Sequence, residues 1–375
     1  MYPPTLEQNM FAITQAGWTS IILSLFHIDS SGDIIYNNPM IVQNGAYVGD
    51  AAWPGQVAQL KKDSLVTTVL ASIGGGGVSD FSNIQTIYDN NNNSFNGTPL
   101  QKNFQVFRQS FPAIDLIDMD CEDNYDQPSF VAFCEMLIDI GFGITFCPYR
   151  NKGFWTGSLA TIEQNYPGAV KWWNLQCYDG GAGNDPASWA AAIQTAIPGF
   201  NTDGFILAGD WSRLWNGQYW QGDCPSQVQS LLSPFEPESC VGGAFIWTID
   251  NMIDYAAVSK QHPDPGSCGD VEMPDYVAAI ADALAAIQWQ KTAGVAMYDD
   301  ANWEQEVYRQ SGVTAETALA YANTDDRVTF FFYMNANMSL PQHGNFSPGD
   351  AVFFSGKPWL GSAPMADTYE KVISR

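Results

Sequence analysis

Asp115, Asp118, Asp120 and Glu122 crowd into one otherwise apolar stretch, Ala113–Glu122, in the pattern DxxDxDxE. The last three are spaced by two. On a β-strand that spacing sends their side chains to one face. Carboxylates packed in such a row cannot all ionise, so at least one must keep its proton above the usual range. Sharing that proton leaves Glu122, at the open end, able to act as a general acid. The bland counterpart is an acidic loop holding a divalent cation through oxygen ligands. Strict alternation on an apolar strand makes a poor solvated surface and favours the acid–base reading.

Such a row needs a rigid frame. From residue 5 to about 290, short apolar runs alternate with longer amphipathic stretches. The runs are Ser20–Ile28, Ser64–Gly74, Ala113–Asp120, Gly143–Tyr149, Ala169–Tyr178, Gly204–Gly209 and Gly242–Ile249. Nearly continuous hydrophobicity is expected of parallel strands covered on both faces. Ser129–Ile140 and Ser188–Ala196 carry helical patterns between them. The rhythm predicts an α/β fold, a (β/α)8 barrel with one strand unaccounted for. An open doubly wound sheet competes, but it wants a Gly-rich phosphate turn after its first strand, and none is seen. Polar residues gather at the C-terminal ends of the runs, where a barrel builds its site: His27–Asp29, Ser79–Asp80, Asp118–Glu122, Tyr149, Tyr178–Asp179, Asp210–Trp211 and Trp247–Asp250.

Composition narrows the partners. The 375 residues carry 15 Lys+Arg against 40 Asp+Glu, a net charge of −25. That excludes nucleic acid and anionic membrane as natural partners and leaves neutral or cationic ones. No apolar run is long enough to span a membrane. Aromatics at 14% suit a sugar cleft, although most aromatics in any protein are core. The three scattered histidines (His27, His262, His343) and the lack of CxxC or HxxxH spacing speak against a zinc site, and no metal or cofactor is expected. Cys121, Cys134, Cys147 and Cys177 read as buried thiols. Cys224, Cys240 and Cys268 lie in loops, where a Cys224–Cys240 disulfide is the pairing considered. The start, Met1–Pro4, shows no signal peptide.

Four ordered motifs give the chain a family resemblance. DxxDxDxE (Asp115 to Glu122) resembles the fourth-strand signature of glycoside hydrolase family 18, the chitinases and endo-β-N-acetylglucosaminidases. Ser72-Ile-Gly74-Gly75 resembles the family's third-strand SxGG. Gln176-Cys177-Tyr178-Asp179 resembles its sixth-strand [MQ]-x-Y-[DN], and Phe245-Ile246-Trp247 its eighth-strand tryptophan. The resemblance covers about residues 5–255. It implies that Glu122 protonates the glycosidic oxygen while the substrate's own 2-acetamido carbonyl attacks, an exception to two-carboxylate hydrolysis. It further implies that Asp120 holds the acetamido N–H, Asp118 relays charge behind it and Asp115 supports the strand end. Tyr178 is expected on the acetamido oxygen and Trp247 under the sugar. Asp115, Gln176, Asp179, Tyr149, Trp211, Gly74 and Gly75 complete the expected substrate-contacting set. Packing competes with that role for the glycines.

The implied substrate is chitin or another N-acetylglucosamine-containing oligosaccharide, and the implied setting is extracellular. Endo-β-N-acetylglucosaminidase action on N-glycans is the alternative within this chemistry; a non-catalytic sugar-binding relative lies outside it. The chain departs from the family in three ways. No apolar strand precedes Met1–Asn9, a slot that Val328–Asn335 is apolar enough to fill. Cys121 and Asp123, rather than aromatics, flank Glu122. Gln176 instead of Met is similar to the plant-type branch. The expected domains are a catalytic barrel, 1–290, and a small β-rich appendage, 291–375, whose Trp303, Tyr308 and Trp359 suit carbohydrate binding. Gln221–Cys240 and Gln261–Val271 are long for barrel connections and are expected to shape the cleft rim.

Overall fold

The computed structural model describes residues 2, 5–62, 64–284, 287–297, 306–311, 313–324, 330–334, 338–340, 344–348, 351–354 and 360–373. Helix α1 (Thr5–Gln15) leads into strand β1 (Ser20–Ile28) and a short meander, β2 (Ile34–Tyr36), β3 (Met40–Gln43) and β4 (Ala46–Tyr47). After helix α2 (Trp53–Gln59), strands and helices alternate: β5 (Thr68–Gly74), α3 (Asp80–Asn90), α4 (Pro99–Ser110), β6 (Leu116–Asp120), α5 (Gln127–Ile140) and β7 (Gly143–Phe146). The series continues with α6 (Lys152–Asn165), β8 (Val170–Gln176), α7 (Pro186–Ala196) and β9 (Ile206–Trp211). A hairpin, β10 (Leu214–Trp215) and β11 (Trp220–Gln221), precedes α8 (Pro225–Leu232), β12 (Val241–Trp247), α9 (Ile249–Gln261) and α10 (Met273–Ala283).

The helices begin where local chemistry caps them. Thr98, Asp126 and Asp185 accept hydrogen bonds from the backbone N–H groups of Gln101, Ser129 and Ser188, and a proline stands in the first turn of each helix. Proline loses nothing there, because that N–H has no intrahelical partner. The same caps start α5 and α7 two residues earlier than periodicity alone predicts.

Seven strands, β1, β5, β6, β7, β8, β9 and β12, lie parallel and pair in chain order, and β2, β3 and β4 extend the sheet in antiparallel fashion from β1. This is the α/β alternation read from the sequence. The two- to four-residue antiparallel strands lie below what periodicity can register. β12 ends the sheet, and among the described strands it pairs only with β9. Phe330–Met334, the described part of the run considered for the missing strand, pairs elsewhere, with Ala351–Phe354 and Leu360–Ile373. That expectation is corrected.

Most large aromatics are core. Trp155 meets Phe130 edge-on at 5.6 Å and Phe146 at 5.3 Å, so α5, α6 and β7 interlock through three fully buried rings. Among the described residues, no helix is long and apolar enough to cross a membrane.

The chain divides into two compact units, Met1–Leu284 and Ala285–Arg375. The second contains a five-stranded antiparallel sheet ordered Ile287–Met297, Leu360–Ile373, Phe330–Met334, Ala351–Phe354, Glu306–Gln310. Helix Ala315–Thr324 contributes Ala318 and Ala322 to a small core with Ala351 and Phe353. Trp303, Trp359 and the side chain of Tyr308 lie outside the described residues.

The disulfide differs from the pairing considered. Cys224 bonds to Cys268, with Cα atoms 5.3 Å apart, and Cys240 is a buried free thiol. Cys240 precedes β12, at the N-terminal end of the sheet, where its carbonyl accepts from Ile206 N–H. Cys224 follows β11, beyond the C-terminal ends. The length of the strands separates them.

Candidate active site

Strand β6 is buried at every position, including both aspartates. Register brings its neighbours into line: Ser72 on β5 and Thr145 on β7 lie opposite Asp118, and Gly74 lies opposite Asp120. Ser72 Oγ donates to Asp118 Oδ2 at 2.7 Å. Thr145 Oγ1 and Asn174 Nδ2 donate to Asp118 Oδ1 at 2.6 and 2.8 Å. Burial pushes the Asp118 carboxyl up from its ordinary value, and these three donors pull it back down. Both oxygens of Asp118 are thus engaged by protein donors. Among the described residues, no group of three or more His, Cys, Asp and Glu side chains is arranged to hold a metal.

Asp120 stands one step nearer the open end. Burial raises it well above the usual carboxylate range, followed by the charges of Glu122 and Asp118 and a hydrogen bond with the Glu122 carboxyl. Two carboxyl groups can share a hydrogen bond only if one keeps its proton. Gln176 Nε2 reaches both, at 3.0 Å to Asp120 Oδ1 and 3.3 Å to Glu122 Oε1. The glutamine therefore sits at the junction of the two acids.

Gly74 and Gly75 make the close approach possible. Both take left-handed backbone angles, φ +111° and +99°. A side chain at Gly74 would run into the carbonyl oxygen of Asp120, and the Gly75 N–H donates to that same oxygen at 2.8 Å. The glycine turn thus grips the acid strand directly.

The ring of Tyr178 stacks on Trp211 at 5.8 Å and 24° and meets Phe245 edge-on at 6.2 Å. Burial raises its hydroxyl well above the usual phenol range, with Cys147 and the three acids adding to the effect. Tyr149 follows β7 with the Arg150 guanidinium 5.0 Å over its ring, and its carbonyl accepts from Asn184. Asp179 is exposed and begins the turn after Tyr178. Trp247 is half-buried and lines, with Tyr2, Leu25, Tyr36, Asn37 and Asp250, a cleft of about 500 Å³ in the interval between β1 and β12.

One expected site residue belongs elsewhere. Asp115 lies at the N-terminal end of β6, opposite the acids, where it pairs with Lys61 at 2.7 Å and accepts from Val69 N–H at 2.9 Å. Its neighbours in sequence suggest a common role, but three residues of extended chain carry it about 10 Å away. His27 pairs with Asp80 at 2.8 Å, a satisfied structural histidine. Thr145, Asn174 and Cys147 join the site without having been singled out. The signal was inward alternation, with Thr145 on β7, Cys147 just after it and Asn174 on β8, the strand beyond.

No family model matches the chain, and no curated protein matches it. Among solved structures, the chain is similar to the catalytic domain of a family GH18 chitinase from the fern Peteris ryukyuensis (17% identity, 72% of this chain and 92% of that chain, TM-score 0.43). It is also similar to a glycoside hydrolase family 18 N-acetylglucosaminidase from Paenibacillus barengoltzii (12%, 73% and 95%, 0.45) and to the Bacillus cereus spore cortex-lytic enzyme SleL (12%, 74% and 70%, 0.45).

Proposed function

We propose that the protein is a chitinase-like glycoside hydrolase that cleaves β-1,4-linked N-acetylglucosamine with retention, using the substrate's acetamido group as nucleophile. One observation carries the reading: at the open end of a buried strand, Gln176 Nε2 donates to both Asp120 and Glu122, which holds the two carboxyls side by side. A pair holding one proton can deliver it and take it back. Glu122 protonates the glycosidic oxygen as the C1–O bond breaks and the acetamido oxygen bonds to C1. Asp120 accepts the acetamido N–H and balances the charge of the cyclic intermediate, and Asp118 holds Asp120 from behind. Water then attacks C1 and gives a proton to Glu122 as the bond from C1 to the acetamido oxygen breaks and the acetamido group re-forms.

Tyr178 hydrogen-bonds the acetamido oxygen, Trp211 backs its ring, and Trp247 forms the floor for the sugar. Tyr149 and Asp179 border the mouth. The Cys224–Cys268 bond supports an exported enzyme, since disulfides persist in oxidising compartments. The charge of −25 suits a neutral or partly deacetylated polymer and not a nucleic acid or anionic membrane.

Product analysis with chitin oligomers and a high-mannose glycopeptide tests the reading. Cleavage of the oligomers supports it, cleavage of the glycopeptide alone moves the assignment to N-glycans, and silence on both ends it. Glu122→Gln lowers turnover by about 10²–10⁴-fold while binding survives, the range for loss of a general acid.

A further inference from the structure

Asp210 is a fully buried carboxyl at the end of β9 that the chemistry above does not use. Its Oδ1 accepts from Trp211 N–H at 2.8 Å, and its Oδ2 is buried and, among the described residues, accepts from no N–H or O–H group. The neighbouring acid is Asp223, from the loop after β11, whose N–H donates to the Trp211 carbonyl at 3.0 Å. The Trp211 peptide is thus held at both ends by this pair. Ser212, the next residue, is tied to the end of β12. Its N–H donates to the Trp247 carbonyl at 2.7 Å, and its hydroxyl accepts from Thr248 N–H at 3.1 Å. The ring of Trp211 stacks on Tyr178. Two aromatic residues assigned to the sugar therefore hang on one short segment, and the acid pair stands behind it.

We propose that Asp210 is a positioning residue, which shares one proton with Asp223 and so holds the Trp211–Ser212 segment that sets Tyr178 and Trp247. This role rests on the reading of the site as a sugar hydrolase. Burial and the Asp223 charge push Asp210 up to about 7, and burial also raises Asp223. Arg213, the nearest cation, is committed to Asp264 through contacts of 2.7 and 2.9 Å, so it does not discharge Asp210. Two phenol hydroxyls and a thiol also stand around the pair. Tyr276 on α10 donates to the Asp223 carbonyl at 2.9 Å, Tyr255 on α9 donates to Asp264, and the buried Cys177 thiol follows β8. Above neutrality the shared proton leaves, two carboxylates face each other, and the segment loses its hold.

Asp210→Asn keeps the acceptor for Trp211, gives Asp223 an N–H in place of the shared proton, and cannot ionise. Asp210→Ala removes both bonds. Rates on a chromogenic chitobioside are measured from pH 4 to 9 for the wild type and both variants. The expected result is an alkaline limb near neutrality in the wild type, displaced upward by a unit or more in Asp210→Asn. Asp210→Ala loses tenfold or more in kcat at every pH, and asparagine restores most of that loss. Coincident alkaline limbs in wild type and Asp210→Asn overturn the proposal. Melting temperatures of the same proteins give a readout that needs no turnover. A raised carboxyl makes stability fall as pH climbs from the ordinary carboxylate range to about 7, so the wild type loses more between pH 5 and 8 than Asp210→Asn. Equal slopes overturn the shared proton, whereas a wild type inactive on every sugar but with unequal slopes overturns only the hydrolase reading.

Discussion

Gln176 Nε2 donates to Asp120 Oδ1 at 3.0 Å and to Glu122 Oε1 at 3.3 Å, so one amide on β8 bridges the two acids at the open end of β6. A donor aimed at carboxyl oxygens favours their ionised form. Gln176→Leu is expected to lower kcat by about 10- to 100-fold, as for loss of a hydrogen bond to a charged group. It also moves the acidic limb of the rate profile to higher pH. An unmoved limb would show that Gln176 does not govern the pair.

Asp120→Asn keeps shape and removes the charge that balances the intermediate. The expected outcome is a fall in kcat of about 10²–10³-fold with KM changed far less, the scale for losing one electrostatic partner of a developing charge. Steady-state kinetics on a chitin tetramer decides this. A defect confined to KM would assign Asp120 to binding alone.

Asp118→Ala strands three donors, Ser72, Thr145 and Asn174, in the interior. Destabilisation of about 2–4 kcal/mol is expected from the unpaired groups, read as a lowered urea midpoint. Asp118→Asn costs less at neutral pH. Because burial raises Asp118, its contribution is fullest below the ordinary carboxylate range and is lost as pH rises through its folded-state value. The advantage of wild type over Asp118→Asn therefore shrinks from pH 4 to pH 8; an advantage that grows would show that burial does not raise Asp118.

The Cys224–Cys268 bond ties the start of α8 to the loop after α9, 44 residues on. Replacing both with serine is expected to cost about 2–4 kcal/mol, mainly by freeing the unfolded chain. Differential scanning calorimetry of the double variant, with and without reductant, checks it. Only the wild type should respond to reductant.

Much of the site is legible in the sequence because its logic is local. Alternation places Asp118, Asp120 and Glu122 on one face, and the same alternation points Thr145 on β7, Cys147 just beyond it and Asn174 and Gln176 on β8 toward them. The caps Thr98, Asp126 and Asp185 are equally local, and each is followed within two residues by a proline. Asp115 shows the limit. Its spacing matches the motif, but the strand carries it to the far end of the sheet, where Lys61 claims it.

The sequence by itself determined the α/β rhythm and the acidic row, since side-chain direction along a strand follows from covalent geometry. Tertiary structure alone decided the rest: that Cys224 meets Cys268, that Phe330–Met334 pairs in the second unit, and that Asp210 and Asp223 close around Trp211. These pairings join residues far apart in the chain, and no local spacing records them. Packing of whole elements brings them together, and burial then sets which of the acids keep their protons.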